Sequence, residues 1–293
     1  PIRLVVPFPA GGGTDIVARD VSNKLTTSTK WSFIVDNKPG SGGNLGIDTV
    51  AKAPADGYNL VIGQTSNLAI NPTLYSKLPY DPVNDLTPVG LIGSAPLALV
   101  VAANSPYKTL ADAVAAAKAQ PGGLNYATSG NGTVAHLATE MFQREAGIKL
   151  THVPYKGASQ GLTDVIGGLV HLYVSSVPTL LGHIKSGKLR ALAVTASKRT
   201  DDLPQVPTVG ETLPGFLTGS WQGLLAPAGT PKAVVDKLHA EVQRIVALPD
   251  VRERLITLGA EPSTMTPTDF GAWLKAEIPA MAKIVKDEKI TAE

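Results

Sequence analysis

LVVPFPAGGGTD, residues 4–15, joins a short apolar strand to a glycine-rich loop and the start of an amphipathic helix. The same junction recurs at 34–44 (IVDNKPGSGGN), 61–67 (VIGQTSN) and 125–133 (NYATSGNGT). Each loop carries little side-chain bulk and leaves backbone N–H groups unpaired at a helix start, where the helix dipole is positive. Such a start favours an anion. Several of these loops meeting at one place would form a carboxylate or phosphate pocket that needs no arginine.

The alternation of strands and helices predicts an α/β fold with two mostly parallel sheets. The apolar strands expected at 97–102 and 220–226 bracket the middle of the chain. We therefore predict one discontinuous domain at 1–100 and 220–293, with a second domain inserted at 101–219. A double crossover of this kind predicts a hinge of two extended segments and a cleft between two α/β lobes. The proline-rich stretches 70–90 and 199–217 are expected to be loops and short turns.

Composition narrows the class of protein. The 293 residues carry a net charge of only +2 and no long basic run, which argues against nucleic acid as the main partner. The absence of cysteine excludes disulfides and thiol nucleophiles. No apolar run approaches the roughly 20 residues that span a bilayer. The five histidines lack metal-site spacing, so neither a metal nor a cofactor is expected.

The candidate ligand-binding residues follow from the four loops and from neighbouring strand ends. Phe8 and Tyr155 are expected to form apolar walls, and the hydroxyl of Ser175 is expected to point into the cleft. His136 either anchors the 129–133 loop through a side-chain hydrogen bond or touches the ligand. The predicted ligand contacts are Phe8, Ala10, Gly12, Gly13, Thr14, Asp15, Ser41, Gly42, Thr65, Ser66, Ser129, Gly132, Thr133, Tyr155 and Ser175.

Five segments together resemble one known family. They are VPFPAGGGTD at 6–15, NKPGSGGN at 37–44, DGYNL at 56–60, VPYKG at 153–157 and GKLRALAVT at 187–195. They are similar to the Bug family of periplasmic solute receptors of tripartite tricarboxylate transport systems, and the resemblance covers nearly the whole chain.

The resemblance implies a two-lobed periplasmic binding-protein fold of type II. It implies a monomeric receptor that captures a carboxylated solute, closes its cleft and delivers the solute to a membrane permease. In the family one ligand carboxylate is held by the loop matching Phe8 to Thr14, partly through ordered water. The loops matching Thr65-Ser66 and 129–133 add donors. The chain opens directly on a strand without Met, as expected of a periplasmic protein whose leader has been removed.

One position departs from the family pattern. Family members commonly carry Asp after the strand matching 171–174, where this chain has Ser175. Without that carboxylate, burying an ammonium group would be costly. A dicarboxylate or an aromatic carboxylate is therefore expected rather than an amino acid.

The sequence leaves two other functions open. An enzyme acting on a carboxylate would use a cleft serine or His136, and Ser129, His136 and Asp164 are a conceivable triad. No G-x-S-x-G motif supports that reading, and no catalytic residue is predicted. The chain could also be a sensing subunit that passes ligand occupancy to a signalling partner.

Overall fold

A computed structural model describes residues 1–11, 13–257 and 260–292. The chain divides into two compact units. Unit 1 contains Pro1–Ser94, Trp221–Ile256 and Glu261–Val285, and most of unit 2 is Ala95–Ser220. Across the described ranges, no helix combines the length and the apolarity that a membrane crossing requires.

The strands are short except for the fourth, which passes from unit 1 into unit 2. They are β1 (Ile2–Val6), β2 (Phe33–Asn37), β3 (Asn59–Gln64), β4 (Leu86–Ala102), β5 (Asn125–Thr128), β6 (Thr151–Pro154), β7 (Leu172–Ser176), β8 (Leu189–Val194), β9 (Gly219–Pro227) and β10 (Glu261–Pro262).

Helices alternate with the strands, as the sequence pattern predicts. They are α1 (Gly13–Thr29), α2 (Asn44–Ala51), α3 (Asn71–Leu74), α4 (Leu110–Ala119), α5 (Val134–Ala146), α6 (Ala158–Ile166), α7 (Val177–Lys185), α8 (Lys232–Val246), α9 (Pro249–Thr257) and α10 (Pro267–Asp287). A 3₁₀ turn at Ser41–Gly43 precedes α2, and a π-helical turn at Ser66–Ile70 precedes α3.

The sheet of unit 1 sets three of the loops side by side. β1 lies between β2 and β3 and is parallel to both, so that Leu4 pairs with Val35 on one side and Leu60 on the other. β9 runs antiparallel to β3. Since the carboxyl ends of parallel strands face the same way, the loops that follow β1, β2 and β3 emerge at one edge of this sheet.

The sheet of unit 2 repeats the arrangement. β5 lies between β6 and β7 and is parallel to both, with Tyr126 opposite His152 and Leu172. β4 pairs antiparallel with β7 and with β8. The loops after β5 and β6 therefore emerge together at one edge of this second sheet.

The α/β fold expected from the sequence is confirmed, but both sheets are mixed because long crossing strands join them in the antiparallel sense. Thr109 caps the start of α4 through a capping box with Asp112. The strand predicted at 97–102 is longer and begins at Leu86. Its first residues, 86–90, fall in the proline-rich stretch 70–90 that the sequence predicts as loop, and Pro88 is accommodated within the strand.

Two facing glycines tighten the core of unit 1. Gly63 of β3 pairs with Gly223 of β9. A Cβ atom on Gly223 would lie 2.3 Å from Cζ of Phe270, whose ring packs edge-on against Trp221. A Cβ on Gly63 would lie 2.4 Å from Cδ1 of Leu68. The absence of a side chain at Gly63 and at Gly223 thus lets Leu68 and Phe270 approach the backbone closely.

We predict that Gly223→Ala lowers the free energy of unfolding by about 1–3 kcal/mol, because the methyl group would overpack against the Phe270 ring. Gly182→Ala is the matched control, since a Cβ at this exposed position of α7 meets no atom within 4 Å. It should leave stability unchanged or raise it by up to about 1 kcal/mol. Urea unfolding of both variants measures the difference, and equal stabilities would refute the close packing described for Phe270.

Candidate functional site

The three loops at the strand ends of unit 1 contact one another. Asn37, the last residue of β2, donates a hydrogen bond from Nδ2 to the carbonyl oxygen of Phe8 at 3.0 Å. Gly43 has a φ of +93° and is packed so closely that a Cβ would lie 2.7 Å from Nδ2 of Asn67 and 3.2 Å from Cζ of Phe8. Phe8, Gly43 and Asn67 belong to the loops after β1, β2 and β3. The loops that emerge at one edge of the unit 1 sheet are therefore also packed together within unit 1.

Asp15 holds the glycine-rich loop. Its carboxylate is buried, and Oδ2 accepts hydrogen bonds from the Gly11 amide at 2.8 Å and from Nε of Arg19 at 2.9 Å. Oδ1 accepts a third bond from Asn37 Nδ2 at 2.9 Å. Burial raises the pKa of Asp15, but these hydrogen bonds outweigh it, so the pKa lies below its usual value. The carboxylate therefore stays ionised and is saturated by the loop and its neighbours.

A small polar cluster lies behind the start of α1. The Thr14 hydroxyl donates to Oε1 of Gln64 at 3.1 Å and accepts from Nε2 of Gln222 at 3.3 Å. Gln64 also donates from Nε2 to the Ser66 hydroxyl at 3.0 Å and from its backbone N–H to Asn67 Oδ1 at 2.9 Å. This cluster links the beginning of α1 to the ends of β3 and β9 through uncharged donors and acceptors.

Gln64 and Gln222 were missed from the sequence, although a signal existed for both. Each is a polar side chain beside an apolar run of its strand, and in the register of β3 and β9 they stand directly opposite each other. A buried amide needs hydrogen-bond partners, and a polar residue at this place in an apolar strand is informative.

A second amide cluster fixes the turns that follow β2 and β3. Oδ1 of Asn44 accepts from Asn71 Nδ2 at 2.7 Å and lies 2.9 Å from the Tyr80 hydroxyl. That hydroxyl also lies 2.5 Å from the carbonyl oxygen of Asn67, and burial raises the pKa of Tyr80. The cluster thereby joins three segments far apart in sequence, and sequence patterns alone offered no sign of this pairing.

The predicted ligand contacts of unit 1 fall into two groups. Thr14, Asp15 and Thr65 are buried, and Thr65 accepts a hydrogen bond from the Trp221 amide at 3.1 Å. The others are exposed or half-buried, and Ser41 and Gly42 both have left-handed backbones. These are Phe8, Ala10, Gly13, Ser41, Gly42 and Ser66. Gly12 lies outside the described residues.

The 129–133 loop of unit 2 is built differently. Thr133 caps α5, since its hydroxyl accepts from the His136 amide at 3.3 Å and donates to the Gly130 carbonyl at 2.9 Å. Nδ1 of His136 accepts from the Gly132 amide at 3.1 Å. Of the two interpretations of His136 from the sequence, the one that makes it an anchor of this loop is confirmed. The Ser129 carbonyl accepts from the Gly157 amide at 3.2 Å, which ties the loop to the start of α6.

The remaining candidates of unit 2 are also engaged within it. The Tyr155 hydroxyl donates to Oδ2 of Asp164 at 2.6 Å, and burial together with this carboxylate raises the pKa of Tyr155 to about 12. Ser175 is buried in β7 opposite Ala98. Because Asp164 binds Tyr155 while His136 binds Gly132, these two side chains are not arranged as a Ser-His-Asp triad requires.

The fold and these loops define a solute-binding receptor of the periplasmic binding-protein class. The family model described as "Tripartite tricarboxylate transporter family receptor" matches residues 17–290. This chain therefore belongs to the tripartite tricarboxylate transporter family of receptors, as the sequence resemblance indicated.

Relatives and solved structures agree with that assignment. Protein BugT of Bordetella pertussis is 36% identical over 289 residues, which is 98% of this chain and 89% of that protein. An R. palustris protein solved with adipate is 37% identical with a TM-score of 0.91, over 99% of this chain and 97% of that one. MatC from Rhodopseudomonas palustris, solved with bound malate, is 33% identical with a TM-score of 0.85, over 97% of this chain and 98% of MatC.

We predict that Asp15→Asn lowers the free energy of unfolding at neutral pH by about 1–3 kcal/mol. Replacing the carboxylate with an amide would remove the ion pair with Arg19. The new NH2 group would also face at least one of the donors that the carboxylate now accepts, which are Gly11, Arg19 and Asn37. Asp236→Asn removes only a surface pair with Lys232 and should cost less than about 0.5 kcal/mol. Denaturant unfolding of the three proteins measures these differences.

The pH dependence adds a separate check. A carboxylate with a lowered folded pKa stabilises above its unfolded pKa of 3.8, and that contribution is lost as the pH falls through the folded value. The gap in stability between wild type and Asp15→Asn should therefore shrink as the pH falls below about 4. A gap that stays constant or widens in acid would contradict the ionised anchor.

Proposed function

We propose that this receptor captures a small dicarboxylate and that one carboxylate binds at the start of α1. The proposal rests on the convergence of the loops after β1, β2 and β3 at one edge of the unit 1 sheet, where Gly43 packs closely against both Phe8 and Asn67. The first amides of a helix have no acceptor within it, and they lie at the positive end of its dipole. An anion is the natural partner for them.

Gly13 is the proposed point of contact. It is the first residue of α1, it is exposed, and a Cβ atom built on it meets nothing within 4 Å. The Gly11 amide is already bonded to Asp15, so the donors proposed for the ligand are the amides of Gly13 and Thr14 and the hydroxyl of Ser66. In this proposal Asp15 holds the loop in place rather than touching the ligand, because its oxygens already accept three hydrogen bonds and its charge would repel an anion.

The donors near this edge also point to the class of solute. Arg19, the cation beside the loop, is paired with Asp15 and donates to Oδ1 of Asn37. Neutral amides and hydroxyls bind a carboxylate through charge-assisted hydrogen bonds worth about 1.5–3 kcal/mol each. The relatives solved with adipate and with malate hold dicarboxylates. Ser175, an uncharged residue, supports a ligand without an ammonium group.

Further contacts are proposed on unit 2 at Ser129, Gly132, Thr133, Tyr155 and Ser175, as predicted from the sequence. The chain is proposed to act as a monomer in the periplasm and to deliver its solute to the membrane subunits of a tripartite tricarboxylate transporter. Family membership supports this role.

Gly13→Leu tests the proposed contact directly. The new side chain would extend into open space in front of the first-turn amides, so we predict at least a tenfold loss of affinity, about 1.4 kcal/mol, with little change in melting temperature. Gly182→Leu, at an exposed glycine of α7 that is equally open, is the control and should bind like wild type. Titration calorimetry with adipate and with malate measures both variants.

The chemistry of the ligand supplies the second arm of the experiment. We expect heat of binding from at least one of the two dicarboxylates and none from the corresponding diamide, since an amide carries no charge for the helix start to stabilise. Equal affinity of Gly13→Leu and wild type would refute the contact at α1. Binding of the diamide as tightly as the diacid would refute carboxylate recognition.

A further inference from the structure

Two stacked histidines lie against the 129–133 loop and are not part of the ligand contacts proposed above. The rings of His136 and His152 are 3.9 Å apart between centroids and inclined by 23°. His136 Nδ1 accepts the Gly132 amide at 3.1 Å. His152 Nε2 lies 2.7 Å from the Thr128 hydroxyl, which in turn bonds to both the carbonyl and the amide of Gly130. The pair therefore holds the loop at two points.

The hydrogen bond to Gly132 fixes the protonation state of His136. A backbone N–H only donates, so Nδ1 must offer its lone pair and the ring proton must reside on Nε2. Protonation of the ring would place a hydrogen on Nδ1, where it would face the hydrogen of the Gly132 amide. This contact with the loop consequently exists only while His136 is neutral.

Burial opposes a positive charge on the pair, although one carboxylate lies nearby. The titratable groups that face it are Glu140 from α5, with Oε1 3.8 Å from His136 Nε2, and Tyr126 from β5, whose ring stacks on His152 at 4.8 Å. Glu140 is occupied by hydrogen bonds from the Tyr126 hydroxyl at 2.7 Å and Gln143 Nε2 at 2.8 Å. Burial lowers the pKa of His136 to about 4. Burial and the neighbouring His136 lower the pKa of His152 to about 3.

We propose that His136 and His152 are positioning residues that keep the 129–133 loop in its hydrogen-bonded form while both are neutral and release it when His136 takes up a proton. A single atom carries this switch, because Nδ1 of His136 both accepts the Gly132 hydrogen bond and takes up the proton. Its effect on solute capture rests on the function proposed above, in which Gly132 and Thr133 contact the ligand. The release of the loop itself does not depend on that function.

NMR of the whole protein without ligand tests the release. The Gly132 amide resonance should move as the pH is lowered, with a midpoint at the pKa of His136, near 4. In His136→Asn the side-chain oxygen on the same Cγ keeps the acceptor and does not titrate, so the Gly132 resonance should stay in place. His136→Leu removes the acceptor, and its Gly132 resonance should be displaced already at neutral pH. His183→Asn, a histidine of α7 outside the pair, should behave like wild type.

Adipate binding tests the consequence for capture. Adipate itself takes up protons in acid, so variants are compared with one another at each pH. At about pH 3.5 roughly a quarter of the His136 rings remain neutral, and wild type should bind about fourfold more weakly than His136→Asn. Near neutral pH the two should bind equally.

The results separate the two proposals. The positioning role is overturned if the Gly132 resonance does not shift over the pH range in which His136 titrates. It is also overturned if the resonance shifts equally in wild type and in His136→Asn. If wild type binds neither adipate nor malate at any pH, the proposed function fails, and the Gly132 titration still decides the role of the histidines. Equal adipate affinities of wild type and His136→Asn in acid overturn the link between the loop and capture.

Discussion

The amides at the start of α1 are the constraint on which the candidate site depends. They follow β1 after a loop of three consecutive glycines, and no carbonyl of the helix can accept their hydrogens. The loop keeps its course because Asp15, in the first turn of the helix, accepts hydrogen bonds from the Gly11 amide, Arg19 and Asn37 with its two carboxylate oxygens. A buried negative charge thus supports the framework, and the proposed site for the ligand's negative charge lies just before it, at Gly13.

The two units fasten similar loops by different chemistry. In unit 1 the anchor is a carboxylate whose pKa is lowered by the hydrogen bonds it accepts. In unit 2 it is an imidazole whose pKa is lowered by burial. Both anchors lie within the first turns of the helix that follows the loop, and each accepts a glycine amide. They differ in the pH range over which they hold, because the carboxylate works while ionised and the imidazole while neutral.

Much of the framework could be predicted from the sequence. Apolar strands and amphipathic helices gave the α/β class and the positions of the four strand–loop–helix junctions. Strand order, and with it the convergence of the loops after β1, β2 and β3, depends on pairing between distant residues that no local pattern encodes. For the same reason the Gln64–Thr14–Gln222 and Asn44–Asn71–Tyr80 clusters were missed. The carboxylate of Asp15, a predicted ligand contact, accepts hydrogen bonds from Gly11, Arg19 and Asn37 that the sequence did not indicate.

The most direct test is an NMR titration of the receptor with adipate at neutral pH, following the backbone amides of Gly13 and Thr14. A carboxylate bound at the start of α1 requires both resonances to move along one saturable curve, and a carboxylate hydrogen bond should shift their protons downfield. If adipate binds while these two resonances stay fixed and the shifts concentrate on arginine or lysine side chains, the anion is held by other means and the account of the site is wrong.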